Sequence, residues 1–162
     1  MPTVTIHDEP ARLVGAIVHK GAYSKISDAM KIAGEKLNAS GRQKDVAEFV
    51  AIYHDNPDHV AEEHLRAHAG FVLKHGCHVP DGLEALHLEE GRYAICRHVG
   101  PYADLPKTWD WLLNTWMPEK GEIPEVASMF EVYANTPETT PPDRLETLIY
   151  VQLEDEDFNG PV

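Results

Sequence analysis

Apolar and polar positions fall into blocks that appear in the same order twice along the chain. Residues 12–19 are rich in β-branched and aliphatic side chains and run into Gly21-Ala22-Tyr23, which reads as a strand and its exit turn. Ile26, Met30, Ala33 and Leu37 then recur at helical spacing, with Ser24 or Ser27 available as a cap and Gly41 beyond the end. Residues 49–53 form a second apolar strand, Asp55-Asn56-Pro57-Asp58 breaks it, and residues 65–73 form a third. The order then repeats. Residues 92–97 read as a strand, Leu105, Trp109, Leu112 and Trp116 mark a helix face, and residues 129–133 and 145–153 read as strands. An additional β-like stretch leads each copy, at residues 4–7 and 83–88. The sum is an α+β architecture of about eight mostly antiparallel strands with two main helices packed on the sheet.

The recurrence extends to individual residues. A shift of 79 carries His19-Lys20-Gly21-Ala22-Tyr23 onto His98-Val99-Gly100-Pro101-Tyr102. A shift of 80 carries Tyr53 onto Tyr133, Pro57 onto Pro137, Leu65 onto Leu145 and Leu73 onto Leu153. One inserted residue between the two blocks accounts for the change. The helix faces pair as Ile26 with Leu105, Met30 with Trp109, Ala33 with Leu112 and Leu37 with Trp116. Two pseudo-symmetric modules, at about residues 4–74 and 83–153 and joined by a linker at 75–82, are therefore expected to pack as one domain over residues 1–162, with a central cleft between them. The copies differ at one telling position. Val50-Ala51-Ile52-Tyr53 in the first copy becomes Phe130-Glu131-Val132-Tyr133 in the second, so a carboxylate replaces a methyl group.

Composition narrows the function classes. Lys and Arg number 14 against 27 Asp and Glu, a formal net charge of -13, which repels a phosphate backbone and argues against direct nucleic-acid binding. The same acidity favours cationic ligands or a basic patch on a protein partner, although the run Glu154-Asp155-Glu156-Asp157 reads first as a solubility tail. The start lacks the basic and apolar regions of a signal peptide, and no apolar run is long enough to span a bilayer, so the expected location is the cytoplasm, with no membrane association. Cys77 and Cys96 fit free thiols in a reducing compartment.

Several strings resemble a known family. Phe49-Val50-Ala51-Ile52-Tyr53-His54-Asp55-Asn56-Pro57, with Glu62-Glu63-His64-Leu65-Arg66, is similar to the first-half signature of the DNA gyrase inhibitory, or GyrI-like, proteins. Gly91-Arg92-Tyr93-Ala94, His98-Val99-Gly100-Pro101-Tyr102 and Phe130-Glu131-Val132-Tyr133 resemble its second half. The resemblance covers about residues 12–153 and implies two strand-helix-strand-strand modules with a small-molecule cleft at their junction. The family includes effector-binding domains of AraC-type and multidrug-sensing regulators, a type that inhibits gyrase, and hydrolases of strained alkylating compounds. In the regulator relatives an acid at the position of Glu131 faces cationic, often aromatic ligands. The stretch before Arg12 leaves no room for a helix-turn-helix, so a stand-alone binding domain is expected rather than a DNA-binding regulator.

Strand alternation places Glu131 and Tyr133 on one face and Phe130 and Val132 on the other. Glu131 then lines a site, faces solvent, or pairs with an arginine such as Arg97. The repeat asymmetry and the resemblance favour the ligand role. Tyr133 and Tyr150 are the first candidates for the walls, followed by Tyr93 and Tyr102, with Trp109 and Trp111 from the second helix. Trp109 shares the apolar stripe and so also suits core packing, while Trp111 lies well round the helix.

No metal site and no cofactor are expected. His64 and His68 have i, i+4 spacing, but the repeat alignment puts His68 in a strand, and the donors His75, Cys77 and His78 lack a second cluster. Gly-x-Gly-x-x-Gly, Walker A and Gly-x-Ser-x-Gly motifs are absent, and Cys96 reads as a buried inert thiol. His19 and His98 occupy matching places and suggest a shared turn role. The favoured reading is a small-molecule binding protein for cationic or amphipathic aromatic compounds, acting by sequestration or sensing. The rivals are inhibition of DNA gyrase by protein contact, and hydrolysis of reactive electrophiles with Glu131 and Tyr133 as the catalytic pair.

Overall fold

The structure, a computed structural model, describes residues 2–155. In chain order its elements are β1 (Thr3–Glu9), β2 (Arg12–Lys20), α1 (Ile26–Ser40), β3 (Val46–Tyr53), β4 (Arg66–Leu73), β5 (Glu84–Leu88) and β6 (Gly91–Val99). There follow α2 (Leu105–Trp111), a π-helical turn (Leu112–Trp116), α3 (Met117–Lys120), β7 (Pro124–Tyr133) and β8 (Glu146–Leu153). The fold is α+β, with antiparallel strand pairing and two main helical stretches.

Contacts divide the chain into two compact units. One is Ala11–Glu89, in which the strands lie in the order β3-β4-β2-β5 with α1 on one face. The other joins the residues up to Pro10 to those from Glu90 onward, in the matching order β7-β8-β6-β1 with α2 and α3. The two leading strands are exchanged between the copies. β1 pairs with β6, Val4 opposite Cys96, and β5 pairs with β2, Leu86 opposite Val14.

Within each unit the helix covers an apolar sheet face. Ala29, Ala33 and Leu37 are the buried positions of α1, and the small side chains at 29 and 33 let its backbone run close along β4 and β2. The second unit uses larger groups. Leu105, Leu112 and Met117 are buried against Ala94, Cys96, Ile149, Val151 and Leu153, with Trp109, Trp111, Leu113 and Trp116 half-buried around them.

The inserted residue inferred from the change of shift lies inside this second helix. α1 is capped by Gly41 and α3 by Gly121, both left-handed at φ 70 and 68, a conformation that favours glycine. Ile26 and Leu105 differ by 79, yet the caps differ by 80. The extra residue is absorbed by the π turn, closed by Met117 N–H donating to Leu112 O. This corrects one expected correspondence. The partner of Leu37 is Met117, not Trp116, because the π turn keeps Met117 on the buried face although it is five residues from Leu112.

Cys77 and Cys96 are free thiols, and burial pushes the Cys96 thiol up to about 11, which leaves it inert at neutral pH. Glu154 donates its N–H to Ile123 O at 2.9 Å, while Glu156 and Asp157 of the acidic run lie outside the described residues. Among the described residues no helix is long and apolar enough to cross a membrane.

Candidate functional site

Glu131 is 3% exposed. It sits near the end of β7, opposite Ile149 of β8, which is itself opposite Cys96 of β6, so its carboxylate projects from the helix-covered face. The expected alternative pairing with Arg97 does not form, because Arg97 is on the other face and donates from Nε to Glu146 Oε1 at 2.7 Å. Instead the indole N–H of Trp109, from α2, donates to Glu131 Oε2 at 2.6 Å. The Tyr133 hydroxyl donates to Glu131 Oε1 at 2.7 Å. These are short, charge-assisted bonds, and they hold a carboxylate that is almost wholly buried. The half-buried Tyr102 ring meets Tyr133 edge-on, with centroids 5.6 Å apart. Burial, and then the charge on Glu131, hold the Tyr102 phenol above its ordinary range.

A second tie fixes α2 over the sheet. His98 Nδ1 and Thr108 Oγ1 are 2.8 Å apart, both residues are buried, and His98 Nε2 lies 3.3 Å from Pro101 O. His19 makes the matching turn contact, Nε2 to Ala22 O at 2.8 Å, which is the shared role expected of this pair. Together the two ties on α2, one to Glu131 and one to His98, set where the Trp109 ring lies relative to the strands.

The structure thus gathers Glu131, Tyr133, Tyr102 and Trp109 into one cluster. It places Tyr93 and Tyr150 elsewhere. Tyr150 is opposite Phe130 on the other sheet face, where the two rings stack at 4.7 Å and 9°, and Tyr93 packs edge-on against both at 5.8 and 6.0 Å. Trp111 is half-buried in the helix–sheet packing. The His98–Thr108 tie was not among the expected site features, nor was Thr147, which is fully buried between Tyr133 and His98 in register. Comparison of the repeats carried a signal for Thr147, since a shift of 80 pairs it with Ala67.

The first unit holds a different polar cluster. His68 lies inside β4, as the repeat alignment requires. Its Nδ1 is 2.8 Å from His54 Nε2, and its Nε2 is 2.9 Å from Glu84 Oε1. Both nitrogens of His68 are thereby engaged on opposite sides of one ring, an arrangement that relays hydrogen bonds rather than converging donors on an ion.

Comparison with known proteins adds family and fold. The family model described as GyrI-like small molecule binding domain matches residues 2–154. The Escherichia coli K12 protein named "Probable transcriptional regulator YgiV" is 37% identical over 78 residues, 46% of this chain and 49% of that protein, so the chain spans about half the length of the curated relatives it matches. The EcmrR C-terminal domain superposes with a TM-score of 0.80 at 14% identity, covering 96% of this chain and 99% of that one. SAV2435 bound to tetraphenylphosphonium gives a TM-score of 0.67 at 10% identity, with 98% of each chain covered.

Proposed function

Because the chain belongs to the GyrI-like small-molecule-binding domain family, we propose that it takes a cationic aromatic or amphipathic compound, anchored electrostatically by Glu131. The observation that carries this reading is the buried carboxylate held between the Trp109 indole and the Tyr133 phenol. Enclosing a carboxylate is costly, and the hydrogen bonds from Trp109 and Tyr133 offset some of that cost. An arriving cation offsets more, in a setting where the attraction is weakly screened. Trp109, Tyr133 and Tyr102 supply ring faces, each contributing about 0.5–2 kcal/mol of cation–π attraction. A relative of the same fold is bound to tetraphenylphosphonium, and the sequence relative carries a regulator's name, which supports sensing or sequestration as the role.

The test is calorimetric titration of tetraphenylphosphonium and of neutral triphenylphosphine oxide into wild type and Glu131→Gln. The expected result is binding of the cation alone by wild type, weakened about 10- to 100-fold in the variant, equivalent to about 1.4–2.7 kcal/mol. Equal affinity of both proteins for the cation would remove Glu131 as the anchor.

A further inference from the structure

Thr147 lies on β8 directly opposite Tyr133 of β7 and His98 of β6. It is 0% exposed, and its Oγ1 has no hydrogen-bond partner among the described residues. The polar groups on either side are engaged elsewhere, Tyr133 with Glu131 and His98 with Thr108 and Pro101 O. A buried hydroxyl left unpaired is destabilising, and valine would fill the same space without that cost. The matching residue of the other unit, Ala67, carries no polar atom beyond its backbone and is equally buried. An uncompensated hydroxyl in the row next to the buried acid, and only in the unit that carries the acid, points to a group that arrives from outside.

We propose that Thr147 is a specificity-determining residue of the binding site, pairing with a hydrogen-bonding group of the ligand. This rests on the reading of Glu131 as a cation anchor. Glu131 and Thr147 project from the same sheet face in adjacent rows, about 7 Å apart along the strand direction. A hydroxyl both donates and accepts, and the partner proposed for it is a hydroxyl, ether or carbonyl oxygen carried a few bonds from the cationic centre. For that group to reach Thr147, the half-buried ring of its cross-strand neighbour Tyr133 has to turn aside. The preferred ligand class is therefore an oxygen-bearing amphipathic cation rather than a purely hydrocarbon one.

The experiment uses two cations of equal length, n-butyltriphenylphosphonium and 3-hydroxypropyltriphenylphosphonium, which differ by a terminal methyl against a hydroxyl. Both are titrated into wild type, Thr147→Val and Thr147→Ser, and each protein is also melted without ligand. The ligand-free Thr147→Val protein is expected to melt higher than wild type, by about 2–4 °C. Its preference for the hydroxypropyl over the butyl cation is expected to fall about tenfold, and Thr147→Ser to retain the preference. A lower melting temperature for ligand-free Thr147→Val would show the hydroxyl to be already satisfied and would overturn the proposal. An unchanged preference, with both cations bound, removes Thr147 alone. Failure of wild type to bind either cation removes the Glu131 reading, and this inference with it.

Discussion

The two units share strand order, turn chemistry and helix placement, yet several of the places where they differ bear on polarity or bulk. Ala51 is opposite Ala69 in a fully apolar row, whereas Glu131 is opposite Ile149 with an indole and a phenol closed around it. The tyrosine pair is kept in both, Tyr23 with Tyr53 at 4.7 Å and Tyr102 with Tyr133 at 5.6 Å. Its wiring differs. Tyr23 is locked to the loop, donating to Arg66 O at 2.8 Å and accepting from Asp55 N–H at 3.0 Å. In the second unit it is the other member of the pair, Tyr133, that turns its hydroxyl to the acid. The loop itself is preserved, since Asp55 Oδ2 accepts from Arg66 N–H and Asn135 Oδ1 accepts from Glu146 N–H, both at 2.8 Å. On the opposite sheet faces Val14, Val50 and Gly70 correspond to Tyr93, Phe130 and Tyr150. Gly70 is required where it stands, because a Cβ there would collide with the Gly15 carbonyl. One copy thus keeps the close-packed apolar solution, and the other spends similar backbone on a polar site. The lesson is that a buried charge is tolerated only where donors, and the helix that brings one of them, were rebuilt with it.

The strongest way to break this comparison is to move the acid without its partners. In Ala51→Glu the carboxylate enters a 0% exposed position, and Met30 stands where Trp109 would be needed. A loss of about 3–5 kcal/mol is expected, read as a lower urea midpoint at neutral pH. Burial raises the pKa of such a group, so the loss should shrink as pH falls and the carboxyl takes up its proton. A variant as stable as wild type at neutral pH would show that the first unit can also house an acid.

Much of this division was legible in the sequence, because the repeat supplied an internal reference. Strand alternation put Glu131 and Tyr133 on one face, and the offset between copies marked Glu131 as the departure. Tyr150 shows where that reasoning stops. Alternation fixes which residues of one strand share a face, but pairing register decides which faces of two strands coincide, and β8 sets Tyr150 opposite Phe130 rather than Glu131. The exchanged strands β1 and β5 were invisible for a similar reason, since a period of two says nothing about the partner. The π turn was half-visible. The change of shift from 79 to 80 counted the extra residue, but only hydrogen bonding located it within the helix.

The π turn permits a sharper test of the pairing between the two helices. Deleting Thr115, which is exposed, leaves Leu112 and Met117 four residues apart, the spacing of Ala33 and Leu37 in α1. The helix can then close with regular bonds and keep both buried anchors, while Trp116 turns away from the core it now partly covers. The expected cost is about 1–2 kcal/mol, from the apolar area Trp116 loses, with helical circular dichroism retained. Thr115→Ala, which keeps the length, should melt like wild type. Failure of the deletion variant to fold would mean that the second helix is not the first with one residue added.

The smallest expected effect belongs to the first unit alone. His54 has no counterpart, since Ala134 occupies its place, and it bonds through Nε2 to His68 Nδ1. Desolvation lowers its pKa, with His68 and Arg66 pushing the same way, against the opposing pull of Asp55 and Glu84. The shared bond needs a lone pair on one of the two rings, so it does not survive with both imidazoles fully protonated. A lowered pKa means that the unfolded chain binds the proton more tightly. The contribution of His54 is therefore complete above its unfolded pKa of about 6.5 and is lost as pH falls through that value towards the folded one. Melting temperature measured from about pH 7.5 to 5.5 should fall less steeply in His54→Gln than in wild type. Parallel curves would show that His54 is too well solvated for its protonation to be felt by the fold, and would leave Glu131 as the one buried carboxylate that distinguishes the two copies among the described residues.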